Sequence, residues 1–237
     1  MVALRLGVLL TVLLVGGHVW ADIKIQDWLF DGDKPGNIPA GFAPGKTNGE
    51  SGRWEVKADP KASSPPHVLA RVGSDQSGQA AQVLFIEGAE AANLDMTARI
   101  MAVSNGDGQG GGVVFRAEDN RNYYVVWLSP QENLVRLERA VNGELTLLQD
   151  LTVNAEVGKW HFLRLSIRGS VFEAFFDNRK FLSAREDTWL HGSYKKGKIG
   201  LWARGTAATY FDNVRFTPMD EGTGSGPLGG TESTIIK

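Results

Sequence analysis

Short runs in which apolar and polar residues alternate, bounded by Gly, Asn, Asp or Pro, recur along almost the whole chain. No stretch of three helical turns beyond the N-terminal segment carries apolar residues at i, i+3, i+4 and i+7. A period of two is that of a strand with one face in a core and the other outside it. The alternation predicts strands at 53–58, 67–72, 82–87, 95–103, 111–118, 122–129, 134–141, 145–151, 160–168, 171–177, 180–184, 198–204 and 209–216. So many strands need two packed sheets, and the expected fold is all-β, a two-sheet antiparallel jelly-roll sandwich.

The turns between these runs have identifiable chemistry. Asn142-Gly143 tolerates positive φ at both central positions of a type I′ turn, so strands 134–141 and 145–151 should pair as a hairpin. Gly169-Ser170 and Asp177-Asn178 read as two more hairpin turns, which extends an expected meander from about 111 to 184.

Alternation also assigns faces. Leu163, Leu165 and Ile167 share the inward side of their strand, and Arg164, Ser166 and Arg168 the outward side. In 122–128 both sides are apolar, with Tyr123, Val125 and Trp127 opposed to Tyr124, Val126 and Leu128. Such a strand suits the centre of a sheet whose outer side is covered or lines a groove.

The N-terminus carries Arg5, an apolar run from Leu6 to Val15, and Val19-Trp20-Ala21, the layout of a secretory signal peptide cleaved between Ala21 and Asp22. An apolar run of about ten residues is roughly half of what a membrane-spanning helix needs. The mature protein is therefore expected to be secreted or periplasmic, with no membrane span. Cleavage leaves about 215 residues, enough for the core of one large sandwich from 22 to 217. Residues 218–237, rich in Gly, Thr and Ser, are expected to form a flexible tail. The chain has no cysteine, which removes disulfides, thiolate metal sites and cysteine nucleophiles together. A net charge of -2, with both signs interspersed, gives no footprint for nucleic acid.

Laid out as strands, several segments resemble a known family. They are Gly111-Gly112-Val113-Val114-Phe115-Arg116, Asp119-Asn120-Arg121-Asn122-Tyr123-Tyr124, Val141-Asn142-Gly143, Gly158-Lys159-Trp160-His161-Phe162-Leu163-Arg164-Leu165, Phe175-Phe176-Asp177, Gly197-Lys198-Ile199-Gly200-Leu201-Trp202 and Phe211-Asp212-Asn213-Val214. The chain from about 24 to 217 resembles the concanavalin A-like lectin/glucanase superfamily, within it the bacterial laminin-G-like and 3-keto-disaccharide hydrolase-like domains. The resemblance implies a carbohydrate-directed role, binding in some relatives and glycoside hydrolysis in others. The Glu-x-Asp-x-x-Glu strand motif of the related laminarinase-type glucanases has no match in the chain, so that mechanism is not supported. The superfamily often ties its N-terminal segment to its last strand through an oxygen-ligated ion. By that resemblance Asp31, Asp33 and Asp212 are candidate ligands of a structural calcium.

The residues themselves offer limited catalytic chemistry. Glycoside hydrolysis needs two carboxyl groups about 5 to 9.5 Å apart. Asp31 and Asp33, Glu87 and Glu90, and Glu118 and Asp119 are the available pairs, all in loops or turns where solvated acids are the simpler reading. His67, His161 and His191 are far apart in sequence, and neither a Gly-x-Ser-x-Gly elbow nor a His-Glu-x-x-His helix occurs. Sugar recognition needs an aromatic face with planar donors or carboxylates nearby. Trp202 and Arg204 project from one side of their strand, Arg136 and Glu138 share a polar face, and Arg116 and Trp127 lie on what should be neighbouring central strands. The sequence therefore points first to a lectin-like domain that binds a glycan on a concave sheet face, with Trp202 stacking on the sugar. A glycoside hydrolase of the 3-keto-disaccharide hydrolase type and an envelope protein-interaction domain are the alternatives.

Overall fold

A computed structural model describes residues 25–45, 53–72, 81–185 and 194–219. The expected signal peptide, His191 and the tail beyond Met219 lie outside the described residues. Fifteen strands run in chain order among the described residues. They are β1 Gln26–Trp28, β2 Phe42–Pro44, β3 Arg53–Ala58, β4 His67–Val72, β5 Gln82–Ala91, β6 Asn93–Ala102, β7 Gly110–Ala117, β8 Tyr123–Ser129, β9 Leu134–Val141, β10 Glu144–Thr152, β11 His161–Arg168, β12 Val171–Phe176, β13 Arg179–Arg185, β14 Gly197–Arg204 and β15 Thr209–Met219.

Two antiparallel sheets result. The first has the order β13-β12-β11-β6-β15-β4-β3, with β1 added beside β15, and the second has the order β10-β9-β8-β7-β14-β5-β2. The architecture is the expected two-sheet sandwich of the jelly-roll kind. Between the sheets lies one large apolar cluster that includes Leu163, Leu165 and Ile167 of β11, Tyr124, Val126 and Leu128 of β8, and Phe115, Leu201 and Phe211. These side chains are fully enclosed, and Leu163, Leu165 and Ile167 are the inward set given by the period of two.

The turns carry the expected backbone. Asn142 and Gly143 have φ of 53° and 90°, and β9 pairs with β10 across them. Asp177 and Asn178, at 45° and 65°, join β12 to β13 in the same left-handed conformation. The meander is interrupted, however. Strands β7 to β10 are consecutive neighbours in the second sheet, whereas β11 to β13 continue in the first. The chain crosses from one layer to the other after β10, where Val153, like Leu148 within β10, packs on the shared core. The last strand also runs to Met219, pairing Pro218 with Leu94 and Met219 with Asn93, so the sandwich ends two residues later than the sequence suggested. No helix among the described residues is long and apolar enough to cross a membrane.

Candidate functional site

The outer face of the second sheet holds most of the aromatic and charged residues singled out above. Its organising feature is a ladder of directly opposed residues: Val83 on β5, Trp202 on β14, Gly112 on β7, Trp127 on β8 and Arg136 on β9. Gly112 has no side chain to separate the two indoles, and their ring centroids approach to 5.1 Å. A Cβ at Gly110 would meet the Trp127 ring at 2.5 Å, so the indole lies in a trough that only glycine leaves open.

This trough changes the role of the tryptophans. Both Trp127 and Trp202 are 0% exposed, so neither offers a free face to a sugar. Charged side chains are laid over them instead. The Arg204 guanidinium sits 4.2 Å from the Trp127 ring centroid and 5.8 Å from that of Trp202, and Arg136 lies 5.5 Å from Trp127. A guanidinium stacked on an aromatic face is held in plane by electrostatics and keeps its edge donors available. The expectation that Trp202 itself stacks on a sugar is therefore replaced. The indoles form a buried floor, and the arginines above it face outward.

Hydrogen bonds fix this arrangement. Trp127 Nε1 donates to Glu138 Oε2 at 2.7 Å, and Trp202 Nε1 donates to the Tyr123 hydroxyl at 3.1 Å. Burial pushes the Tyr123 phenol up to about 12, and the nearby Glu138 charge adds to the shift, so the hydroxyl stays protonated. Burial also lowers the Arg204 guanidinium from its usual range, against the raising influence of Glu138 and Glu132.

Donors remain unused. Arg204 Nε donates to the Gly108 carbonyl at 3.1 Å, and no partner among the described residues takes its terminal amino groups. Arg136 Nη1 meets Glu132 at 2.8 Å, while Arg136 Nε is buried with no partner. A buried donor of this kind is costly unless something hydrogen-bonds to it.

Arg116 does not belong to this group. The β7–β14 register passes from Ala117 opposite Lys198 to Val114 opposite Gly200, leaving Phe115 and Arg116 against Ile199 alone. Arg116 has φ of 47° at this bulge, and its side chain turns off the outer face. Its guanidinium donates to the carbonyls of Ala92 at 2.8 Å and Gly169 at 2.7 Å and lies over Phe172, holding the rim of the core.

Further along the same face, Phe85 packs beside the buried tryptophan cluster with Lys198 5.5 Å from its ring. Phe85, Glu87, Glu90, Asp119 and Lys198 line a recess of about 400 Å³ there. The sequence leaves these acids as separate turn residues, yet the sheet order brings β5 and the β7–β8 turn together. Asn120 also lines the recess, and its Nδ2 is buried without a partner. Burial would raise the Asp119 carboxyl, but hydrogen bonds from Arg121 and Asn122 outweigh it and hold Asp119 below its ordinary value.

The candidate calcium ligands come together only in part. Asp212 is fully buried and accepts the Ser64 amide at 2.6 Å and the Asn213 amide at 2.7 Å. Asp31 reaches the same Ser64 through its hydroxyl at 3.4 Å and the His67 amide at 3.4 Å. The turn at 30–33 is closed by the Asp33 amide donating to the Phe30 carbonyl, and the Asp33 carboxylate makes no hydrogen bond or ion pair among the described residues. Among the described residues no group of three or more His, Asp or Glu side chains is arranged to hold a metal ion.

No family model matches the chain. A levanase from Bacillus subtilis (strain 168) is 23% identical over 116 residues, which are 48% of this chain and 16% of the levanase, so the chain spans under a fifth of that curated relative. Among solved structures, the carbohydrate-binding module CBM66 from Bacillus subtilis superposes with a TM-score of 0.59 at 17% identity, covering 74% of this chain and 94% of the module. A putative glycosyl hydrolase from Parabacteroides distasonis superposes with a TM-score of 0.51 at 14% identity, covering 82% of this chain and 94% of that one. The fold is thus the all-β sandwich of these two structures.

Proposed function

We propose that this is an exported carbohydrate-directed protein that holds a sugar against the outer face of its second sheet. Arg204 and Arg136 donate to the sugar oxygens and Glu138 accepts from its hydroxyls. The observation that carries this reading is the pair of guanidiniums stacked over Trp127 with donors left over, the terminal amino groups of Arg204. A polyhydroxyl ligand satisfies fixed planar donors of this kind. The similarity in fold to a carbohydrate-binding module supports the same reading.

Cleavage of the bound sugar is the second reading, and the named relatives favour it over recognition alone, since a levanase and a putative glycosyl hydrolase are among them. Its structural support is the convergence of Glu87, Glu90 and Asp119 on the recess at Phe85. Asp119, held ionised, would serve as base or nucleophile and Glu87 or Glu90 as acid. Incubation of the protein with levan, β-glucan and a panel of disaccharides, followed by product analysis, separates the readings. Products that disappear in Asp119→Asn and Glu87→Gln establish cleavage at the recess. A sugar that binds and is recovered intact establishes a binding domain. Neither binding nor product across the panel overturns both.

A further inference from the structure

A separate cavity of about 530 Å³ opens at one end of the sandwich, where the chain crosses from β10 to β11 and β12 turns into β13. None of the residues of the arginine-covered face lines it. Its volume is that of a small-ligand site, and Trp160, Phe176 and Phe181 give it aromatic walls.

Each wall is held by its own contacts. Leu182 opposes Ala174 and Lys180 opposes Phe175, so Phe181 is the extra residue of a β-bulge and packs on the edge of the core. Trp160 Nε1 donates to the Lys61 carbonyl at 2.8 Å. Phe176 stacks on His161 with centroids 4.9 Å apart, and His161 Nδ1 is bonded to Asp177 Oδ2 at 2.9 Å.

The charges around the cavity are unequally occupied. Asp177 also accepts the Phe162 amide at 2.8 Å, so both of its oxygens are engaged. Glu156 is bonded to Lys159 at 2.6 Å and to Asn154 at 3.3 Å, and Lys180 is drawn to Glu173. Arg179 has no hydrogen bond or ion pair among the described residues. Among the described residues the cavity thus presents aromatic surface and the unpaired Arg179 guanidinium, while its carboxylates are already neutralised or hydrogen-bonded.

From this inventory we infer that the end cavity is a second ligand site that takes a sugar ring carrying a carboxylate, a uronate residue. The apolar face of the ring lies against Trp160 and Phe181, and the carboxylate pairs with Arg179. A guanidinium fork binds a carboxylate through two parallel N–H donors, which a neutral hydroxyl does not reproduce. The site stands independently of the sugar-binding reading of the sheet face, because it shares no residue with it.

The test is calorimetric titration of the full chain with trigalacturonate and with neutral galactotriose. The variants are Arg179→Gln, Lys34→Gln as a charge control that lines neither site, and Arg204→Gln as a probe of the sheet face. The expected result is binding of trigalacturonate that falls at least about tenfold in Arg179→Gln and is unchanged in Lys34→Gln, with galactotriose much weaker at this site. Arg179 is exposed and its side chain is engaged by nothing among the described residues, so the variant should melt with the wild type. No trigalacturonate binding, binding indifferent to Arg179→Gln, equal binding of galactotriose, or loss confined to Arg204→Gln each overturns the assignment. The last outcome would move the uronate to the sheet face and leave the reading of that face intact.

Discussion

The indole N–H of Trp127 donates to Glu138 across the β8–β9 pair at 2.7 Å, and the same indole carries the Arg204 guanidinium at 4.2 Å on its face. One buried ring therefore orients both an acceptor and a donor of the candidate site. Trp202, 5.1 Å away, backs that ring from β14, two strands over, with Gly112 of β7 between them.

Removing the acceptor should separate structure from binding. Glu138→Gln keeps an oxygen for the indole N–H, so its urea midpoint should stay close to that of the wild type while sugar affinity falls. Glu138→Ala leaves a buried N–H with no partner and should cost about 1–3 kcal/mol of stability. Equal unfolding curves for the two variants would mean that the Trp127 bond carries no weight.

Filling the trough should be far more damaging than its chemistry suggests. In Gly112→Ala the added methyl would meet the Val126 carbonyl oxygen at 2.2 Å and the Trp127 Cβ at 2.5 Å. Neither the strand backbone nor the indole can retreat, so a loss of about 3 kcal/mol or more is expected in chemical denaturation. A near-neutral Gly112→Ala would show that the two indoles are not packed over this residue.

Asp212 sets a pH dependence opposite to that of most carboxylates. Burial, with Asp31 adding to it, raises its carboxyl from 3.8 to about 6 in the folded protein, although the Ser64 and Asn213 amides oppose the shift. Between those values the folded protein holds the proton and the unfolded chain does not. This contribution to stability is therefore complete below about pH 4 and is lost as pH rises through 6. Asp212→Asn should abolish that loss, on the order of 2 kcal/mol across the interval. The check is the difference between wild-type and variant stability measured from pH 4 to pH 7; a constant difference would contradict the assignment.

Period-two alternation was enough to place β11 and its inward Leu163, Leu165 and Ile167, and the Asn142-Gly143 pair was enough to place the β9–β10 hairpin. The strands β1 and β2 escaped because three residues are too few to show a period. Alternation also paired Trp202 with Arg204 and Arg136 with Glu138 on shared sides of their strands, but it carried no information on height. The depth of the tryptophans comes from Gly110 and Gly112 on β7, which the folded sheet places between the two strands that carry the indoles. Arg116 follows the alternation on paper and leaves it in the fold, because a single positive φ at a bulge re-aims the side chain. The recess at Phe85 and the cavity at Phe181 each join segments that are distant in sequence, and a bulge supplies the decisive wall of the second.

The most direct test of the sugar-binding face is calorimetric titration of wild-type, Arg204→Gln and Arg136→Gln protein with whichever glycan binds best in a screen that includes levan and β-glucan. Binding that weakens at least about tenfold in both variants, with melting temperatures unchanged, is the expected result. A sugar bound equally well by all three proteins, or no sugar bound by the wild type, would contradict it.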